Sequence, residues 1–218
     1  MRHLIFFLLA FALPFLAEAQ QPRLLTIAEW KGHPTKFDDA KAKKYEQCSF
    51  SDKYKAIQRR SFFPFSKAVS IKLISFEAPM SPKDNDARNN IDTVPLFSPM
   101  ATNKFILNYR KVKEISTLSD LGIDSLTNIL YNFGYTPVTG NLYRVIEEAS
   151  CYEPRNAILF LDSAGNVSQY IEFCFECRKY YYSSPKTKPI DYCEQKYDML
   201  AAFFLRHGVK YGAEERGD

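Results

Sequence analysis

The sequence predicts an α+β fold: an antiparallel β-sheet with a cysteine-flanked hairpin near its centre, packed by about three helices. Three observations lead there. Asn156 to Asp162 and Val167 to Phe173 are apolar, β-branched or aromatic runs of strand length. Ile123, Leu126, Leu130 and Phe133 recur at helical spacing, and so do Cys193, Tyr197, Leu200 and Phe204. Cysteines bracket the strand pair, with Cys151 before it and Cys174 and Cys177 after it.

The strand pair carries the clearest local signal. Asp162-Ser163-Ala164-Gly165 separates the two runs. An aspartate suits the first position of a type I turn, because its carboxylate accepts from backbone N–H groups just ahead. Gly165 suits the left-handed position that follows. Pairing Asp162 with Asn166 sets Leu161 opposite Val167 and Ile158 opposite Tyr170, and, carried on, Cys151 opposite Cys177. Pro154 cannot donate to a ladder and interrupts that register. Cys151 is therefore expected near Cys174 and Cys177, with no particular bond assigned. In an unbent strand the last two would lie ~10 Å apart on opposite faces, beyond the ~7 Å reach of a disulfide. They can bond each other or share a metal only if the chain bends at Phe175-Glu176.

Residues 1–19 read as a signal peptide. Arg2 and His3 precede the apolar run Leu4 to Leu16, and Ala17-Glu18-Ala19 fits cleavage before Gln20. The remainder, 20–218, is expected to form a single α+β domain that is secreted or periplasmic. No later stretch is apolar enough to span a membrane, so no integral membrane segment is expected after cleavage. The net charge of +4 is spread along the chain, with short clusters at Lys41/Lys43/Lys44 and Arg110/Lys111/Lys113. That is a solvated surface rather than a nucleic-acid footprint.

Taken in order, Thr35 reads as the N-cap of a short polar helix ending near Glu46, with Asp38 and Asp39 in its first turn. Cys48 follows, placed to tether this weakly held segment. Ala68 to Phe76 alternates as a strand with Val69, Ile71 and Leu73 on one face. Pro79 to Asn90 is a long polar loop; its Asp84-Asn-Asp86 lacks the glycine and closing glutamate of a calcium loop. Phe105 to Tyr109 is a further strand, Gly134 a cap for the helix before it, and Asn141 to Ile146 a short strand. The final helix is expected to start at an Asp191 N-cap and stop at Gly208, with Cys193 pointing inward from its first turn.

The candidate thiol cluster is Cys151, Cys174, Cys177 and Cys193. In an oxidising compartment these read first as structural disulfides, and with five cysteines one sulfur is left over. The C-x-x-C ends a strand, so it lacks the helix N-terminus that activates such a pair in thioredoxin-like proteins. A zinc site needs four ligands and normally two close-spaced pairs; one is present, and no cofactor is expected. His33 and His207, the histidines left after cleavage, are poorly placed to serve a cysteine nucleophile. Glu172 and Glu176 are too far apart along a strand for a glycosidase pair. No catalytic or metal residue is assigned. The first expectation is an exported, soluble, disulfide-stabilised binding protein for an unknown protein or small-molecule ligand, without catalysis. The alternative is a thiol redox or metal-handling protein using Cys174-x-x-Cys177 with Cys151 and Cys193.

Overall fold

The computed structural model describes residues 24–25, 36–77, 95–101, 104–143 and 151–214. The expected signal peptide, Thr35, His33 and the Pro79–Asn90 loop lie outside them. In chain order the elements are β1 (Leu24–Leu25), α1 (Lys36–Glu46), β2 (Cys48–Phe50), α2 (Ala56–Arg60), β3 (Ser70–Phe76), β4 (Phe97–Ala101), β5 (Lys104–Leu107) and β6 (Val112–Thr117). Then follow α3 (Asp120–Asn132), β7 (Phe133–Tyr135), β8 (Leu142–Tyr143), β9 (Asn156–Leu161), β10 (Val167–Cys174), β11 (Lys179–Tyr182) and α4 (Lys196–Arg206). Among the described residues there are thus four helices on an antiparallel main sheet, an α+β arrangement as expected.

The main sheet runs β4-β5-β10-β9-β3-β6, with β11 also on β10. The hairpin β9–β10 sits at its middle, and all its pairings are antiparallel. The free edge of β10 is divided. Ile171 to Cys174 pair with β11, while Val167 pairs with Phe105 of β5. This division lets β4–β5 fold over one face and curl the sheet into a half-barrel.

The turn forms as its residues dictate. Asp162 Oδ1 accepts from the N–H groups of Ala164 and Asn166, each at 2.9 Å, and Gly165 has φ 80°. Leu161 faces Val167, but a bulge follows, and Ile158 faces Ile171 instead of Tyr170. Ser168 lies in the bulge, and its hydroxyl donates to Phe160 O at 2.9 Å. The extra residue exchanges the faces of the rest of β10. Ile171 and Phe173 now join Ile158 and Phe160 under the helices, and Tyr170, Glu172 and Cys174 take the opposite face.

Two cores result. On the helix side Ile71, Leu73, Ile158, Phe160, Ile171 and Phe173 pack against Leu126 and Leu130 of α3 and Leu200, Phe203 and Phe204 of α4. Side chains of this size contribute roughly 2–3 kcal/mol each when buried. On the other side Ile74, Phe76, Ala157, Leu159, Leu161 and Val167 are covered by Leu107, Phe97 and Phe105. Phe97 stacks on Tyr170 with ring centroids 3.8 Å apart. Val69, expected inward with Ile71, lies just before β3 and is exposed.

Three helix ends differ from the sequence reading. α3 begins at a Ser119 N-cap whose side chain accepts from Gly122 N–H, and so starts three residues before Ile123. Gly134 is not its cap but the middle of β7, where a Cβ would meet Asp191 Oδ2 at 2.8 Å. Asp191 is not the N-cap of α4, which begins at Lys196. The chain before it is held by contacts to the N-terminal segment: Glu194 N–H donates to Glu46 O at 2.7 Å, and Gln195 Oε1 accepts from Cys48 N–H at 2.8 Å.

The chain after α4 is pinned to the sheet. Glu114 Oε2 accepts from Ser75 Oγ at 2.6 Å and from the N–H groups of Lys210 and Tyr211 at 2.8 and 2.9 Å. Gly212 follows with φ 74°, and a Cβ there would lie 2.5 Å from Arg155 Cβ. Gly212→Ala is expected to destabilise the protein by roughly 1–3 kcal/mol, since both the backbone angle and the contact oppose it. Urea denaturation checks this; a midpoint equal to wild type would contradict the packing described.

Candidate functional site

The five cysteines resolve into two bonds and one thiol. Cys48 bonds Cys193 with Cα atoms 5.0 Å apart, and Cys151 bonds Cys177 with Cα atoms 5.9 Å apart. Cys174 is unbonded and buried. Of the four sulfurs expected together, Cys151, Cys174 and Cys177 gather at the open end of the central hairpin. Cys193 lies three residues before α4 and not in its first turn, and it joins the approach to that helix to β2, which gives Cys48 the tethering role its position suggested.

The backbone bends as a C-x-x-C within reach of itself requires. Cys174 pairs with Lys179, and Phe175 to Arg178 form the turn between β10 and β11. Within it Cys177 N–H donates to Cys174 Sγ at 3.2 Å. Arg178 closes the turn in the left-handed region, at φ 50°. Its guanidinium donates to Glu194 O at 2.7 Å and pairs with Asp198 at 3.3 Å. The turn therefore docks on the start of α4 beside Cys193. A guanidinium makes the join between hairpin and helix for which the sequence suggested sulfur.

Glu172 and Cys174 share the outer face of β10, with Tyr181 opposite Glu172 on β11 and Ala157 opposite it on β9. Tyr152 reaches across from the residue after Cys151, and its hydroxyl donates to Glu172 Oε2 at 3.2 Å. Burial pushes the Glu172 carboxyl up to about 7, with the Tyr152 hydrogen bond opposing. Among the described residues the groups facing it are Tyr152, Tyr170, Tyr181 and Cys174, none of them a cation. Glu176, read with it as part of a strand face, lies in the turn and pairs with Arg155 at 2.8 Å.

The sign of the pH effect follows. Between the ordinary value of 4.5 and about 7 the folded protein holds a proton that the unfolded chain releases. The stability this gives is complete below 4.5 and lost as pH rises through about 7. Glu172→Gln is thus expected to be ~1–2 kcal/mol more stable than wild type near pH 8, with no gain near pH 4. Urea denaturation at the two pH values measures it. An equal difference at both would assign the effect to packing.

Tyr180 stacks on Tyr192 with centroids 3.8 Å apart, and the Tyr182 and Tyr192 hydroxyls lie 3.3 Å apart. These tyrosines pack the margin of the sheet, and Tyr181 stays exposed. His207 caps α4, with Nδ1 2.8 Å from Phe203 O. Among the described residues no three His, Cys, Asp or Glu side chains are grouped to hold a metal ion. None of the described helices is long and apolar enough to cross a membrane.

A groove of about 990 Å³ runs beside the sulfur-bearing turn, between it, α4 and the C-terminal chain. Phe175, Ala201 and Leu205 supply apolar lining, and Arg178, Asp198 and Tyr211 polar lining. Sequence reasoning missed it, because its walls come from stretches far apart in the chain. The one local signal was Ala201-Ala202, two small residues on an otherwise bulky helix.

With the fold and this corner defined as a disulfide-bonded α+β half-barrel, the chain was compared with known proteins. No protein-family model, no curated protein and no solved structure matches it.

Proposed function

We propose that this chain is an exported, disulfide-stabilised binding protein whose ligand site is the groove between the Phe175–Arg178 turn and α4. The observation that supports it most is the placement of the two disulfides. One holds the N-terminal segment to the approach of α4, the other holds the chain before β9 to the turn, and α4 and the turn both line the groove. Bonds so placed fix groove walls that come from distant stretches, which lowers the ordering cost of binding. The leader-like residues 1–19 and the cysteine usage support export.

Two measurements test this reading. Protein recovered from its host should begin at Gln20 and carry two disulfides with one thiol. An intact leader with five reduced cysteines would overturn export. A fragment library titrated into labelled protein should shift resonances of Phe175, Ala201 and Leu205 together, and Ala202→Trp should abolish those shifts without changing the remaining spectrum. Shifts confined elsewhere would overturn the groove as the site.

A further inference from the structure

The three sulfurs at the hairpin end have an arrangement that a static staple does not need. Thiol–disulfide exchange requires an attacking sulfur, a central sulfur it can reach and a leaving sulfur. Cys177 is bonded to Cys151, and Cys174 Sγ lies 3.2 Å from the backbone nitrogen of the same Cys177. Covalent geometry keeps the Sγ of any cysteine within ~4 Å of its own nitrogen. Cys174 ends β10 opposite Lys179, and Cys177 lies inside the Phe175–Arg178 turn that folds back over it, so the bend that an unbroken strand would deny a disulfide is present. Burial differs between the two ends of the relay. Cys174 is 2% and Cys177 8% exposed, whereas Cys151 lies at the surface.

We propose that Cys174 displaces Cys151 from Cys177, delivering the protein's free thiol from the interior to the surface, where Cys151 exchanges with a disulfide-bearing molecule. In the first step the Cys174 thiolate attacks Cys177 Sγ. The Cys174–Cys177 bond forms, the Cys151–Cys177 bond breaks, and Cys151 leaves as a thiolate that takes up the proton Cys174 gave to solvent. One disulfide and one thiol are present before and after, so no oxidant is consumed. In the second step the Cys151 thiolate attacks an external disulfide, forms a mixed disulfide and releases the other half as a thiolate. Water at Cys151 favours it as leaving group, since an exposed thiolate is better solvated than a buried one. The attack is intramolecular, and the turn holds both partners in place before it begins. The new bond lies within the β10–β11 end, and the chain before β9 loses its covalent tie to the turn. The relay does not rest on the ligand-binding reading, but it releases one of the two bonds on which that reading draws.

Oxidised glutathione is the probe. Wild-type protein incubated with it near pH 8, quenched in acid and digested should carry one glutathione on Cys151 and a Cys174–Cys177 bond. An adduct on Cys174, or no adduct, overturns the relay. Cys151→Ser removes the leaving sulfur and keeps Cys48–Cys193. Oxidised and then denatured, it should show no free thiol, because Cys174 and Cys177 bond each other. Two free thiols in that variant overturn the relay equally.

Discussion

Replacing Cys48 and Cys193 together by alanine is expected to lower the folding free energy by roughly 5 kcal/mol. The bond joins residues 145 apart, so it removes more freedom from the unfolded chain than any short staple. The same chain-entropy argument gives roughly 3.5 kcal/mol for Cys151–Cys177, whose residues are 26 apart. The folded state keeps many of its local contacts without the long bond. β2 still pairs with β7, Tyr45 still stacks on Tyr135 at 4.8 Å, and Thr136 N–H still donates to Gln47 O at 3.0 Å. The cost should therefore appear mainly as a lower denaturation midpoint, together with faster tryptic cleavage at the lysines of α1. Urea denaturation of the two double variants compares the bonds directly. If removing Cys151–Cys177 costs the same or more, loop closure is not what the longer bond contributes.

The contrast between these bonds shows where the sequence was legible. The hairpin was, because Asp162 and Gly165 act within five residues and the apolar runs beside them leave little choice of face. α1 was too, through its acidic first turn and basic last turn. The bulge after Val167 was not: nothing local announces an extra residue, yet it decides that Glu172 and Cys174 face away from the helices. The partner of Cys48 was out of reach for a related reason. A cysteine's tethering role can be read from its neighbours, but its bond depends on a register set far away. The start of α4 shows long-range contacts overriding a local signal. Asp191 with Glu194 looks like a cap, but the backbone of Glu194 is engaged by Glu46, and the helix begins only once that contact is past. Arg59 is a similar case, a buried cation on the short α2 that binds Tyr54 O at 2.6 Å and Asp124 at 2.5 Å. Its ion-pair partner comes from α3, not from its own segment.

Lys196→Met is the single substitution expected to cost most, about 3–5 kcal/mol. Lys196 is fully buried at the first turn of α4, and its Nζ donates to the carbonyls of Ile129 at 2.6 Å, Leu130 at 3.1 Å and Phe133 at 2.6 Å. These are carbonyls at the C-terminal end of α3, which no following turn satisfies, because the chain turns straight into β7. A positive charge there also meets the negative end of the helix dipole. Burial pushes the ammonium down to about 7, and Asp191 opposes this. A neutral amine has only two N–H groups, so satisfying all three carbonyls requires the protonated form. Methionine matches the stem in length and leaves every carbonyl buried and unpaired, so the loss reports the hydrogen bonds more than the packing. The sequence holds one sign of this residue: Lys196 occupies the same helical stripe as Leu200 and Phe203, where a solvated lysine would be out of place. Thermal and urea denaturation of the variant should show a lower midpoint with an unchanged m-value, and amide exchange at the end of α3 should quicken first. A variant as stable as wild type would mean that α3 ends without help from α4, and that the two helices are joined by apolar contact alone.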